Sequence, residues 1–333
     1  MKRTISMKKI LIVGYGSIGK RHVENLLSIP NLEIIVCTKR NDVNKLKKHA
    51  KVYHTIRQSL KENPDLGFIT NETSLHIPTA MKLASQGMDL FIEKPLSNST
   101  KGISDFTKTV NKKRIITQMG CNMRFDPCIK KIKSLVQKKA IGKIISVQVE
   151  NSSYLPDWHP YENYSKGYAA RDDLGGGIVL TMIHDLDYLF WIFGDIKEVF
   201  SITGKFSDLK VSADDTSAIL LKFKNNIIGQ IYLDYHQRPS FREIKIKGTK
   251  GSIHWNSDEN KVRVFDLRKK IWSIKLAIKN NQRNKMYVDE INHFLQCVKL
   301  RKPTINPIQD GIRTLEISLG IKKSSNLKRM VRT

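Results

Sequence analysis

Apolar positions fall into two textures along this chain. In the first third, short apolar runs at 10–13, 32–37, 66–70 and 88–93 alternate with stretches of helical spacing near 17–28, 43–49 and 74–86. Apolar runs of that length suit strands buried on both faces. Their exchange with amphipathic segments predicts a βαβ series, a parallel sheet with helices on both sides. A polar helix near 101–112, a strand at 115–119 and a helix from about 126 to 138 continue the series.

Past Gly142 the pattern changes. Strands are predicted at 144–153, 199–204, 216–223, 227–235, 242–247, 251–255 and 262–265, joined by Gly and Asn turns. Such a run of strands predicts a largely antiparallel sheet with one face free to pack. One long helix, starting at Gly175-Gly176-Gly177, interrupts it. From Ile178 to Phe193 this helix is apolar on nearly every side, so it is predicted to be buried. Helices near 286–301 and 308–325 close the chain.

A length of 333 residues suits two domains. The expected fold is α/β: a doubly wound parallel sheet over 1–122, then an α+β domain with an open, largely antiparallel sheet over 123–333. The C-terminal helix is free to pack back on the first domain.

The first apolar run leads into Gly14-Tyr15-Gly16-Ser17-Ile18-Gly19. A strand, a glycine turn and a helix in that order form the opening of a dinucleotide (Rossmann) site. Its helix N-terminus would receive the pyrophosphate. At the end of the second strand, Cys37-Thr38-Lys39-Arg40 offers no acid before Asp42. A carboxylate there would bind the ribose hydroxyl of NAD(H). A hydroxyl and two cations instead suit a 2′-phosphate, so NADP(H) is favoured over NAD(H).

Glu93-Lys94-Pro95 places a lysine at the carboxyl end of a strand, the edge where ligands bind in such sheets. That lysine can donate to a substrate oxygen. On the long helix, His184 and Asp187 lie three apart on one face. Burying both requires that they pair with each other or with a ligand. His184 held by Asp187 would be an acid/base near neutral pH; the alternative is a purely structural pair.

Together with the glycine turn and Glu93-Lys94-Pro95, three further segments complete a recognisable series: Thr70-Asn71-Glu72-Thr73-Ser74-Leu75-His76, Gly120 to Pro127, and the triple-glycine helix bearing His184. In this order the five motifs resemble the Gfo/Idh/MocA oxidoreductases over nearly the whole chain. The resemblance implies a two-domain NAD(P)-dependent enzyme acting on sugars, cyclitols or their derivatives. Its C-terminal sheet would carry the substrate site and often a dimer or tetramer face. The lysine and the helix histidine would flank the nicotinamide, and the Lys–Pro peptide is often cis.

Beyond the glycine turn and Thr38-Lys39-Arg40, the expected cofactor contacts are Thr70, Asn71, His76, Glu93, Lys94 and Asn122. One departure stands out. Many members carry an Asp about four residues before the histidine, where this chain has Leu180 and Thr181. The expected acid/base set is therefore Lys94 and His184, with Asp187 orienting and Tyr168 as a hydroxyl donor.

Most tyrosines fall in the loop from Tyr154 to Arg171. Expected substrate contacts are Trp158, His159, Tyr168, Arg171 and Gln237, with Lys94, Arg124 and His184. The loops around 154–171 and 233–242 resemble a branch associated with surface polysaccharide and sialic-acid-like sugars, including nucleotide-linked ones. Two rivals follow: an aldose–aldose oxidoreductase with a tightly held cofactor, and a dinucleotide-sensing protein without turnover.

Composition adds limits. The net charge of +27 gathers at Lys39–Lys61 and Lys322–Arg332 without a recognisable nucleic-acid module. A solvated basic surface that draws small anions is expected, rather than a nucleic-acid partner. No run approaches the ~20 apolar residues of a membrane span, and the basic start followed by an apolar run reads as the first strand. Four cysteines without CxxC spacing predict free thiols in the cytoplasm and no metal site.

Overall fold

The computed structural model describes residues 8–279 and 283–333. They form two compact units. The first runs to Cys121 and takes back Tyr287–Ile312; the second holds Asn122–Met286 and Arg313–Thr333.

The first unit is a six-stranded parallel sheet: β1 (Lys8–Val13), β2 (Leu32–Cys37), β3 (Lys51–Tyr53), β4 (Leu66–Ile69), β5 (Asp89–Glu93) and β6 (Thr117–Gly120). Their order is β3-β2-β1-β4-β5-β6. Helices α1 (Ser17–Leu27), α2 (Ile56–Leu60), α3 (His76–Ser85) and α4 (Ile103–Lys113) connect them. This is the doubly wound arrangement that the alternating pattern predicts.

The second unit contains α5 (Pro127–Gln137), α6 (Ile178–Thr181) and α7 (His184–Phe193). Its nine-stranded sheet is built from β7 (Ile144–Ser152), β8 (Ile196–Gly204), β9 (Thr216–Phe223), β10 (Ile228–Asp234), β11 (Phe241–Gly248), β12 (Gly251–Asn256), β13 (Lys261–Asp266), β14 (Ile271–Ala277) and β15 (Val331–Arg332). Every pairing is antiparallel except that of β7 with β10. Helices α8 (Arg283–Leu300) and α9 (Ile308–Leu327) follow.

In the first unit the rings of Phe68 (β4) and Phe91 (β5) stack with centroids 4.7 Å apart, and Phe294 of α8 meets both edge-on at 5.7 and 5.8 Å. All three are completely buried, each contributing roughly 1.5–3 kcal/mol of transfer free energy. That packing explains why the chain returns to this unit over 287–312.

Three expectations need correction. The helix predicted at 43–49 is only a short turn at Leu46–Lys48. Val43 and Leu46 are its only buried apolar residues, too few to hold a helix by packing. β3 and β14 went unassigned. β3 has three residues, and β14 has no fully buried position that would give its alternation a core face. The helix after the triple glycine is not continuous. Its halves meet at a 48° bend just before His184. Bonding there changes from a four-residue step (Met182 N to Ile178 O) to a three-residue step (Asp185 N to Met182 O). No single helix among the described residues is long and apolar enough to cross a membrane; that bent pair passes only by length and composition.

Candidate active site

In the first unit the strand register brings the motifs to one edge. Val13 is level with Ile69, and Ile69 with Ile92. Gly14, Thr70 and Glu93 therefore sit at or just beyond the carboxyl ends of neighbouring strands, about 4.8 Å apart from one strand to the next. Gly14 has φ +104, and a Cβ there would lie 2.5 Å from the backbone N of Asn71. Only glycine allows that approach. The Thr70 hydroxyl, 3.0 Å from Gly14 O and 3.1 Å from Val13 O, ties the two turns together.

The same edge fits a dinucleotide. Gly16 faces open space, with no atom within 4 Å of a Cβ placed on it. It caps α1 without a side-chain bond, leaving first-turn N–H groups for an anion. Asn71 gives its amide to Thr79 at 3.0 Å, while its buried Oδ1 has no hydrogen-bond partner among the described residues. A buried acceptor beside an anion cradle matches a ligand with both phosphates and hydroxyls. Tyr15 and Ile18 are half-buried in the turn, and Ser17 is exposed.

At the end of β2, Thr38 is buried and its Oγ1 accepts from Arg40 N at 3.2 Å. Lys39 is exposed. The Arg40 guanidinium donates to both oxygens of Asp42, at 2.8 and 2.7 Å. Arg40 holds the Asp42 carboxyl down to about 2.

Glu93 and His76, expected against the cofactor, face inward instead. Glu93 is 6% exposed. One of its oxygens lies 2.7 Å from His22 Nε2 on α1; the other accepts Lys94 N at 3.2 Å. Gly120 makes room for it, since a Cβ there would lie 2.8 Å from the carboxyl group. His76 is 1% exposed, with Nδ1 2.8 Å from Pro95 O and Nε2 3.0 Å from Asn71 O. Burial pushes its pKa down, against the pull of the two carbonyls and Glu93. Lys94 is half-buried between these two braced neighbours, and its bond to Pro95 is cis.

In the second unit His184 opens α7 immediately after the bend and is half-buried. Asp187 has a partner that spacing along its own helix does not show, Arg124. Its two oxygens accept Nε and Nη2 of Arg124 at 2.8 and 2.7 Å, with both side chains at most 1% exposed. The Arg124 guanidinium also lies 5.5 Å from the Trp191 ring. Arg124, expected to meet substrate, is completely buried in the turn Asn122–Phe125, and Asn122 is buried beside it.

Asp185 is equally buried. It accepts the Tyr188 hydroxyl and the Asn151 amide, each at 2.6 Å, with Arg242 Nε at 3.4 Å. Desolvation and the neighbouring carboxylate push the Tyr188 phenol well up, so it remains a donor. Thr181, in the region where the resemblance leads one to expect an acid, is buried.

Around the loop, Trp158 Nε1 donates to Ser153 at 2.9 Å and its ring stands edge-on to Tyr235. The Tyr161 hydroxyl lies 3.2 Å from His159 Nδ1, and Arg171 pairs with Asp173. Trp158 and Arg171 thus already hold partners close to their own loop. Tyr168 is exposed, and Gln237 gives its backbone N–H to Asp234 at 2.9 Å. Among the described residues no cluster of three His, Cys, Asp or Glu is placed to hold a metal.

The sequence reading missed His22, Asp185, Asn151 and Arg242. His22 had a signal: it shares the stripe Gly19-Val23-Leu26 of α1, a polar residue on the face that packs.

Comparison with known proteins places these parts. Residues 8–121 match the oxidoreductase family described as having an NAD-binding Rossmann fold, and 129–254 match the GFO/IDH/MocA C-terminal domain. An uncharacterized oxidoreductase of Bacillus subtilis, YrbE, is 30% identical over 262 residues, 72% of this chain and 71% of that protein. A myo-inositol 2-dehydrogenase of Thermotoga maritima is 27% identical over 339 residues, covering 97% of this chain and 98% of the relative. The solved structure of a levoglucosan dehydrogenase in complex with NADH superposes with a TM-score of 0.87 over 98% of each chain. At 16% identity, that likeness speaks to the fold alone.

Proposed function

The chain belongs to the Gfo/Idh/MocA family of oxidoreductases, and from that premise we propose that it moves a hydride between a nicotinamide and an alcohol or carbonyl carbon of a sugar or cyclitol. The observation that carries this reading is the shared carboxyl edge of β1, β4 and β5, which puts the glycine turn, Asn71 and Lys94 side by side. Relatives named for inositol and levoglucosan support the substrate class.

When bound, the cofactor supplies the hydride chemistry; the protein's contribution is to bind, orient and manage the proton. Gly14, Gly16 and the α1 N-terminus would hold the pyrophosphate, and Asn71 Oδ1 would accept a ribose hydroxyl. Lys94 is assigned to polarise the substrate oxygen and His184 to exchange its proton, with Tyr168 as an accessory donor. Asp187, paired with Arg124, anchors the helix that carries His184.

NADP(H) is our preferred cofactor, because residues 37–41 offer a hydroxyl and two cations but no carboxylate. Arg40 must exchange its exposed Asp42 contact for the 2′-phosphate, a pair worth little in water. We also assign a homo-oligomer, since Ile202, Leu220 and Ile228 stand exposed on the nine-stranded sheet. Four free, buried cysteines suit a reducing cytoplasm.

The test is turnover by nicotinamide absorbance with each dinucleotide against myo-inositol, levoglucosan, glucose 6-phosphate and a nucleotide-linked sugar. Nucleotide-linked substrates belong in the panel because the +27 charge draws anions. Lys94→Ala and His184→Ala should each lower kcat by about 10²–10⁴. Full turnover in either variant removes that residue from the mechanism, and tighter NADH than NADPH binding overturns the cofactor preference.

A further inference from the structure

The tripeptide Glu93-Lys94-Pro95 is held from both sides by histidines, and each histidine belongs to a helix that follows a cofactor-binding loop. On one side is His22 of α1, the helix opened by the glycine turn. Its ring is completely buried, with Nε2 2.7 Å from Glu93 Oε1. Phe91, Phe68 and Tyr287 stand edge-on to it at 5.0, 5.7 and 6.3 Å and fix its plane. Its Nδ1 has no hydrogen-bond partner among the described residues, so Glu93 is the ring's polar anchor. The other oxygen of Glu93 accepts the backbone N–H of Lys94. On the other side is His76, the first residue of α3, whose ring sits between the carbonyls of Asn71 and Pro95, 3.0 and 2.8 Å from its nitrogens; as a neutral ring it donates its one N–H to one carbonyl and packs against the other.

Neither ring needs to touch a cofactor or a substrate. Each is a rigid, buried link with one end in a loop or helix that would seat the dinucleotide and the other on a residue adjoining Lys94. Hydrogen bonds to a buried carboxylate or carbonyl are costly to leave unmade, about 1–3 kcal/mol each, so the links resist stretching. A displacement near 1 Å at a reacting group can cost about a hundredfold in rate.

We propose that His22 and His76 are positioning residues for Lys94. His22 transmits the seating of the glycine turn through Glu93, and His76 transmits the seating of the Asn71 loop through Pro95, so that filling the cofactor site sets the direction of the lysine ammonium. This rests on the reading of Lys94 as the group that polarises the substrate oxygen.

A double-mutant cycle tests it. His22→Phe keeps the ring packing but removes the donor, and His76→Leu removes both carbonyl contacts. His22→Gln and His76→Asn restore one N–H in each place. Measurements are kcat and KM with the panel alcohol that turns over fastest, cofactor Kd from nicotinamide fluorescence, and the melting temperature.

His22→Phe and His76→Leu should lower kcat about tenfold to a hundredfold with KM changed by less than about threefold, and Gln or Asn should recover most of it. In a Lys94→Ala background, the same histidine substitutions should cost no more than about twofold, because no lysine remains to be placed. Equal losses in both backgrounds, an unchanged kcat, or a loss matched by unfolding or by lost cofactor overturns the inference. If His22→Phe or His76→Leu does not fold, the cycle is run with His22→Met and His76→Met, which also lack the ring N–H, read against the same limits. A Lys94→Ala enzyme with full turnover condemns the lysine's role instead, and so is told apart from a failure of the braces.

Discussion

Cutting the Arg124–Asp187 pair separates two accounts of the same aspartate. Sequence spacing makes Asp187 the residue that orients His184; the structure shows it paired with Arg124. Both side chains are at most 1% exposed, and the guanidinium delivers two bonds of 2.8 and 2.7 Å. Asp187→Leu leaves a buried cation without its counter-charge, and Arg124→Met leaves a buried anion. Either should destabilise the fold by about 3–5 kcal/mol. For a unit of this size each kcal/mol moves the melting temperature by about 2–4 °C, so a fall of about 6–20 °C is expected by scanning calorimetry.

The double variant Arg124→Met/Asp187→Leu should recover most of that loss, since a packed apolar pair often replaces a buried ion pair at little cost. Recovery will fall short by the lost contact between the guanidinium and Trp191, about 0.5–2 kcal/mol. Single variants within about 1 kcal/mol of the parent would refute the anchor. A double variant as unstable as the singles would show that the lone charge was not the cause. Should Asp187→Asn shift the pH–rate profile while leaving the melting temperature alone, the orienting role would be the correct one after all.

Two further outcomes follow from the first unit. Gly16→Val should lower stability by no more than the lost N-cap preference, up to about 1 kcal/mol, because a Cβ there meets nothing within 4 Å, yet weaken dinucleotide binding at least about tenfold, or 1.4 kcal/mol. Gly14→Val should instead lose stability, from the positive φ (about 1–2 kcal/mol) and from overlap with Asn71; equal melting temperatures for the two variants would sink the distinction. For His76 the sign of the pH effect is fixed: burial lowers its pKa in the folded protein. Above about pH 6.5 both states are neutral and its contribution is complete; below that the unfolded chain takes up the proton first, and stability falls until the folded pKa is reached. Urea midpoints should therefore drop less between pH 7.5 and 5.5, the two test conditions (about one unit either side of that value), in His76→Asn than in the parent, and an equal drop argues against the buried neutral ring.

What was legible in the sequence is what a single segment can declare by itself. The run 10–13, the glycines and the buried stripe of the 178–193 helix each state their environment through local spacing, and β1, the turn and the buried helix all formed. The bend before His184 was hidden, because Met182 and Ile183 continue the apolar pattern while the bonding step changes. Partners across the chain were hidden for a different reason. Asp187 finds Arg124 63 residues away, and His22 finds Glu93 71 residues away. Spacing constrains only what lies within a few residues. Asp187 was therefore assigned to the base on its own helix, His184, and the fork of two guanidinium donors that it accepts from Arg124 lay beyond the reach of spacing.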